Sequence, residues 1–247
     1  DRLTMLLDTG LTASVMLLEK TLERLGLSAE DKGVSSVGAT STSILKSARL
    51  PESSLCDGGG NGVLPLREMG GVVVKDFPQR AFGDEMGTPI DGMLGQGFMA
   101  LCDLEIDPVE GTMRAWPPGA LPQSEPGWQR LPTLSMPGDL KGLLLSVPGC
   151  LEPVVGIVDS GASHTVVNLR AAFMLGLELK AALARIDGSI VRGIGLDSTA
   201  LEMPMVYVDG ASLFGAGGVA IQPRPPNRDG LLTWSFGNVA GSPGEQL

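Results

Sequence analysis

The chain has 247 residues, 43% hydrophobic and 19% charged, which suits one large domain or two domains of about 120 residues. This balance excludes a disordered or fibrous protein. The net charge of −10, with no cluster of Lys and Arg, argues against a nucleic-acid-binding surface, and no apolar run reaches the ~20 residues of a membrane-spanning helix. The 35 glycines and 18 prolines favour many short strands over a helical bundle.

The hydrophobic pattern predicts an all-β fold, mainly strands with a few short helices. Helices are predicted at residues 16–25 and 169–175, and Gly26 and Gly176 stand where their C-terminal caps belong. Short strands are predicted at residues 4–7, 72–74, 104–106, 112–116 and 143–147. The strands at 104–106 and 112–116 are expected to form a hairpin.

Four blocks of sequence occur twice in the same order. Leu-Leu-Asp-Thr-Gly at residues 6–10 matches Ile-Val-Asp-Ser-Gly at residues 157–161, and Leu-Gly-Leu at residues 25–27 recurs at residues 175–177. The other matched blocks are 37–39 with 194–196 and 91–98 with 229–236. Four matches in one order predict an internal duplication, with two similar lobes in one chain.

A Pro-rich stretch at residues 117–127 separates the repeated blocks. Proline cannot donate to a central strand and breaks a helix, so this stretch is predicted to be an extended linker. The predicted domains are an N-terminal lobe at residues 1–116 and a C-terminal lobe at residues 128–247.

In each lobe an aspartate ends an apolar strand and is followed by a hydroxyl residue and a glycine. If the lobes pack about a pseudo-two-fold axis, Asp8 and Asp159 face each other and share a proton, because two adjacent carboxylates cannot both ionise easily. The ionised member can then act as a general base on water while its protonated partner acts as an acid. Thr9 and Ser160 are expected to hold the two turns together, and Gly10 and Gly161 to permit their close approach.

Asp8-Thr9-Gly10 and the sequence Asp-Ser-Gly-Ala-Ser from Asp159 resemble the signature of aspartic proteases. The block at residues 91–95 is similar to the closing segment of retropepsin-like lobes. The resemblance implies two such lobes fused in one chain, as in pepsin-like enzymes, with Gly38 and Gly195 at the tips of two flaps. It implies an aspartic endopeptidase that binds a peptide or protein substrate in the cleft between the lobes and needs no metal or cofactor.

Two positions depart from the family pattern. Leu11 stands where the family usually has Ala or Ser, which would crowd the first turn, and Thr233 replaces the glycine that the first lobe keeps at Gly95. These departures keep a second hypothesis open: a catalytically inactive subunit that serves as a binding or assembly component of a larger protein complex. Its partners would be other proteins.

Overall fold

The computed structural model describes residues 1–37, 42–77, 83–84, 87–107, 110–122, 131–147, 149–162, 165–176, 190–194, 200–208, 212–214, 220–221 and 232–236. The chain is mainly β with a few short helices, which confirms that part of the predicted fold class. In the described part of the chain, no helix is long and apolar enough to cross a membrane.

The first half of the chain is organised around one six-stranded sheet with the order β1-β8-β2-β7-β4-β3. Two further hairpins, β5-β6 and β9-β10, complete it, and the second of these confirms the hairpin predicted from the sequence. The strands are β1 Met5–Leu7, β2 Val15–Leu18, β3 Glu30–Val37, β4 Thr42–Leu50, β5 Ser53–Cys56, β6 Gly62–Leu66, β7 Met69–Val74, β8 Gly92–Leu94, β9 Asp103–Asp107 and β10 Thr112–Trp116. Helix α1 covers Glu19–Arg24 and helix α2 covers Gln96–Met99.

The second half contains two sheets in its described residues. One contains β11-β12-β17-β18 with β13 paired to β12, and the other has the order β14-β19-β16-β15. The strands are β11 Leu134–Ser135, β12 Lys141–Ser146, β13 Val154–Ile157, β14 Thr165–Val167, β15 Ile190–Ile194, β16 Ala200–Val208, β17 Ser212–Phe214, β18 Ala220–Ile221 and β19 Leu232–Phe236. Helix α3 covers Leu169–Met174, and a short 3₁₀ turn covers Pro137–Asp139.

Strand β2 takes up the first three residues of the helix predicted at residues 16–25, so that prediction was wrong at its N-terminal end. All four residues of β2 are buried, and alternate ones pack into different clusters: Val15 and Leu17 into one, Met16 and Leu18 into another. The sequence of a strand that is buried on both faces is a continuous apolar run, and periodicity alone does not distinguish such a run from a buried helix. The helix itself begins at Glu19, where burial becomes one-sided.

Both predicted glycine caps are confirmed. Gly26 and Gly176 follow α1 and α3 with φ of 67° and 71°, a left-handed conformation that glycine adopts without a steric penalty. At the other end of α3, Asn168 Oδ1 accepts a hydrogen bond of 2.8 Å from the N–H of Ala171.

The same pairing order appears in both halves. In the first, β2-β7-β4-β3 pair parallel, antiparallel and antiparallel in turn, and in the second β14-β19-β16-β15 pair in the same three senses. Every strand pairing in the described residues joins strands of the same half of the chain. The boundaries of the two predicted domains stay a prediction.

Strand β19 lies in a different place from the one its sequence suggests. Its sequence was matched to the block that forms β8, yet it pairs parallel with β14 and antiparallel with β16, as β7 does with β2 and β4. Thr233 therefore pairs with Tyr207 and does not occupy the position of Gly95. The two strands also differ in pattern, because β8 is an uninterrupted buried strand whereas the sequence of β19 alternates apolar and hydroxyl residues.

The three cysteines are unpaired thiols. Cys102 is buried, whereas Cys150 is partly buried and Cys56 is exposed. Burial also raises the pKa of the Cys102 thiol, with a smaller contribution from the neighbouring charge of Asp103.

Candidate active site

Two tight turns carry the predicted aspartates. The first aspartate turn, residues 8–11, leaves β1 and is anchored to β8 by a hydrogen bond of 2.9 Å from Asp8 N–H to Leu94 O. The second aspartate turn, residues 159–162, follows β13. Each turn folds back on its own carboxylate, because Gly10 N–H donates to Asp8 Oδ1 at 2.9 Å and Gly161 N–H donates to Asp159 Oδ1 at 2.8 Å.

Thr9 and Ser160 connect the two turns through four reciprocal hydrogen bonds. The Thr9 hydroxyl donates to Val158 O at 2.7 Å and accepts from Ser160 N–H at 2.8 Å. The Ser160 hydroxyl donates to Leu7 O at 2.8 Å and accepts from Thr9 N–H at 3.1 Å. Each hydroxyl thus satisfies the backbone of the opposite turn, in the positioning role that the sequence predicts for this pair.

The two carboxylates face each other across the turns. A Cβ placed on Gly10 would lie 2.6 Å from Asp159 Cγ, and one on Gly161 would lie 2.7 Å from Asp8 Cγ. Each carboxylate therefore rests on the glycine of the other turn, at a distance that no larger residue permits. The predicted dyad and the four residues expected to support it are brought together.

Asp8 holds its proton unusually tightly. Its pKa is raised from 3.8 to about 6, first by burial, then by the charge of Asp159 and by a side-chain hydrogen bond between the two carboxyl groups. The N–H groups of Gly10 and Leu11 oppose this shift, because both donate to Asp8 Oδ1 and stabilise the ionised form. A carboxyl group with this pKa changes its protonation state in mildly acidic solution.

Leu11 does not crowd the first turn. Its side chain is buried in a cluster that includes Met16, Val72 and Met93, while its N–H donates to Asp8 Oδ1 at 3.1 Å. The expectation that Leu11 disturbs the turn was wrong. An apolar side chain at this point anchors the turn to the core, because the core of the first half extends beneath it.

Gln96 belongs to the site, and the sequence analysis missed it. It is buried at the start of α2, its Nε2 donates to Thr9 O, and its backbone N–H donates to Leu11 O at 2.8 Å. The available signal was a single amide side chain between two glycines in an otherwise apolar block. The short helix that follows β8 therefore supports the first aspartate turn from behind.

The predicted flap tips, Gly38 and Gly195, lie outside the described residues. The strands that flank them are described: β3 and β4 pair up to Val37 with Thr42, and β15 and β16 pair up to Ile194 with Ala200.

In the described part of the chain, no three His, Cys, Asp or Glu side chains form a group that could hold a metal ion. The arrangement at Asp8 and Asp159 offers a different capability, a proton shared between two carboxyl groups that can be released to one reacting atom and taken from another. No protein-family model matches the chain, and no curated protein matches it either.

Proposed function

We propose that the chain is an aspartic endopeptidase, in which a water molecule between Asp8 and Asp159 attacks the carbonyl carbon of a peptide bond. The observation that carries this proposal is the reciprocal seating of each carboxylate on the glycine of the other turn, with Thr9 and Ser160 bonding across. Catalysis by two aspartates requires that both be held in rigid, matched turns. A pair of carboxylates on a protein surface requires neither rigid turns nor matched ones.

The proposed reaction divides its proton transfers between the two carboxyl groups. The ionised carboxylate takes a proton from the water as the water oxygen bonds to the carbonyl carbon, and the protonated carboxyl donates its proton to the carbonyl oxygen. The C–N bond then breaks as the newly protonated carboxyl group donates its proton to the leaving nitrogen, while the other carboxylate takes a proton from a hydroxyl of the tetrahedral intermediate, which restores the starting state of the dyad. Asp8 suits the protonated role, because its pKa of about 6 keeps it protonated in mildly acidic solution.

The proposed architecture is a duplicated retropepsin-like chain with lobes at residues 1–116 and 128–247, linked by residues 117–127. The repeated strand order supports it. Gly38 and Gly195 are the proposed tips of two flaps over an extended peptide or protein substrate. Ile44 is exposed on the β3-β4 hairpin next to one of these tips, and such an apolar side chain favours an apolar side chain in the substrate.

The test is cleavage of a mixed peptide library, with products identified by mass spectrometry at a series of pH values. We expect endopeptidase activity that falls as pH rises through about 6, because the proton shared by the dyad is then lost. Asp8→Asn and Asp159→Asn should each abolish cleavage. Asp31→Asn, which removes an exposed carboxylate on β3, is the matched control and should keep it.

Absence of cleavage by the folded wild-type chain at every pH contradicts the proposal and favours the inactive subunit. Persistent cleavage by either dyad variant, or cleavage that a chelator abolishes, shows that another site is responsible.

A further inference from the structure

Gln96 is one of the few buried polar side chains in the described part of the chain. It is 7% exposed and lies in the same short helix as Phe98, which is fully buried. A buried amide without hydrogen bonds costs free energy, so the partners of this side chain identify what it is placed to hold. Its Nε2 donates to the backbone oxygen of Thr9, which follows Asp8 directly.

The oxygen of Thr9 and the N–H of Gly10 belong to the same peptide group. That N–H donates to Asp8 Oδ1, so a continuous path runs from the Gln96 amide through one peptide group to the carboxylate. A donor on the carbonyl oxygen of a peptide polarises it and strengthens its N–H as a donor. The backbone N–H of Gln96 also donates to Leu11 O, so one residue bonds to two of the turn's carbonyl oxygens.

We propose that Gln96 is a positioning residue, which holds the peptide group between Thr9 and Gly10 so that its N–H stays directed at Asp8. As a role in catalysis, the inference rests on the proposed function. As a statement about the Asp8 carboxyl group it stands on the hydrogen bonds alone.

The charged surroundings of Asp8 make this role measurable. Asp159 is the titratable side chain that faces Asp8 among the described residues, and β8 and α2, which support the first turn, contain no charged residue. A weaker bond from Gly10 therefore has one electrostatic consequence. The ionised form of Asp8 loses stabilisation, and its titration moves to higher pH.

The experiment is a ¹³C NMR titration of the aspartate carboxyl carbons in the full chain, with Asp8 assigned by its absence in Asp8→Asn. In Gln96→Met, which keeps the length of the side chain and removes the donor, we expect the Asp8 midpoint to rise by about half a pH unit, a roughly threefold change in proton affinity. The upper limb of the pH profile for cleavage should move by the same amount. Phe98→Leu is the control, because it loosens the packing of the same helix without touching the amide and should leave the Asp8 midpoint in place.

Gln96→Glu keeps the test decisive if Gln96→Met does not fold. In acid solution its carboxylic acid can still donate to Thr9 O, and on ionisation it loses that donor, so the first turn should loosen as pH rises. An unchanged Asp8 midpoint in Gln96→Met, or an equal shift in Phe98→Leu, overturns the inference. If the Asp8 midpoint shifts in Gln96→Met but the wild-type chain cleaves no peptide, the proposed endopeptidase is refuted and the positioning role of Gln96 stands.

Discussion

Replacement of Asp8 by Asn tests the electrostatic account of the site without any need for turnover. Asn has the shape of Asp, and its side-chain oxygen can still accept the hydrogen bonds from Gly10 and Leu11 N–H. What it lacks is the negative charge beside Asp159. The substitution therefore isolates the free energy by which ionisation of Asp8 destabilises the folded state.

The magnitude follows from the shift in the Asp8 pKa. A rise from 3.8 to about 6 corresponds to about 3 kcal/mol, and because the side chain is partly exposed to water we expect about 1–2 kcal/mol in practice. The direction of the pH dependence of stability follows from the tighter binding of the Asp8 proton in the folded state. This stabilisation is fully present below the unfolded pKa near 4 and is lost as pH rises through about 6.

The assay is urea denaturation of wild type and Asp8→Asn, followed by circular dichroism at pH 4, 5, 6 and 7. The difference in free energy of unfolding, variant minus wild type, should increase by about 1–2 kcal/mol between pH 4 and pH 7. Asp31→Asn controls for loss of one negative charge at an exposed strand position and should show no such trend. A difference that is constant across this range, or that shrinks as pH rises, refutes the reasoning.

Three further predictions concern the packing of the second aspartate turn against Asp8 and the contacts of the buried Asp91. Gly161→Ala should place its Cβ against the Asp8 carboxylate and reduce kcat/KM by at least about 100-fold, whereas Gly156→Ala, where a Cβ meets nothing within 4 Å, should leave cleavage unchanged; equal rates for both would contradict the close approach. Asp91→Ala should lower the free energy of unfolding by about 2–4 kcal/mol, because the buried Asp91 carboxylate accepts from Thr4 N–H and pairs with Arg24 at 2.9 Å. Arg24→Met should cost about 1 kcal/mol in the same urea titration, since Arg24 is half exposed, and a larger loss than for Asp91→Ala would show that the ion pair matters more than the bond to Thr4.

Local patterns predicted much of the secondary structure. The hairpin of β9 and β10, helix α3 and the glycine caps follow from turn residues and helical spacing, which act within a few residues of chain. The prediction failed at β2, where burial on both sides removed the periodic signal. Strand β19 shows the same limit, because a short segment does not encode which neighbour it will pair with.

The aspartate pair was predictable because it occurs twice in a matched sequence. Gln96 was not, because its significance depends on the oxygen of Thr9, which lies 87 residues away in the chain. A buried amide has no sequence signal of its own, since hydrogen-bond partners are set by tertiary contact. The role of Leu11 was missed for the same reason, as only the packed core shows which way a turn residue faces.

The two aspartate turns differ in their support, and this difference explains why the hydroxyl pair matters. The first turn lies on a sheet covered by a large cluster on each face and is bonded by Gln96, whereas the second turn is exposed in the described structure. The four bonds through Thr9 and Ser160 therefore attach the less supported turn to the better supported one. Gly138 adds a contact at the same place, because a Cβ there would lie 2.5 Å from Thr12 Cγ2, directly after the first turn. The position of Asp159 relative to Asp8 thus depends on contacts made by the first half of the chain, so the geometry of the dyad is a property that neither half can establish alone.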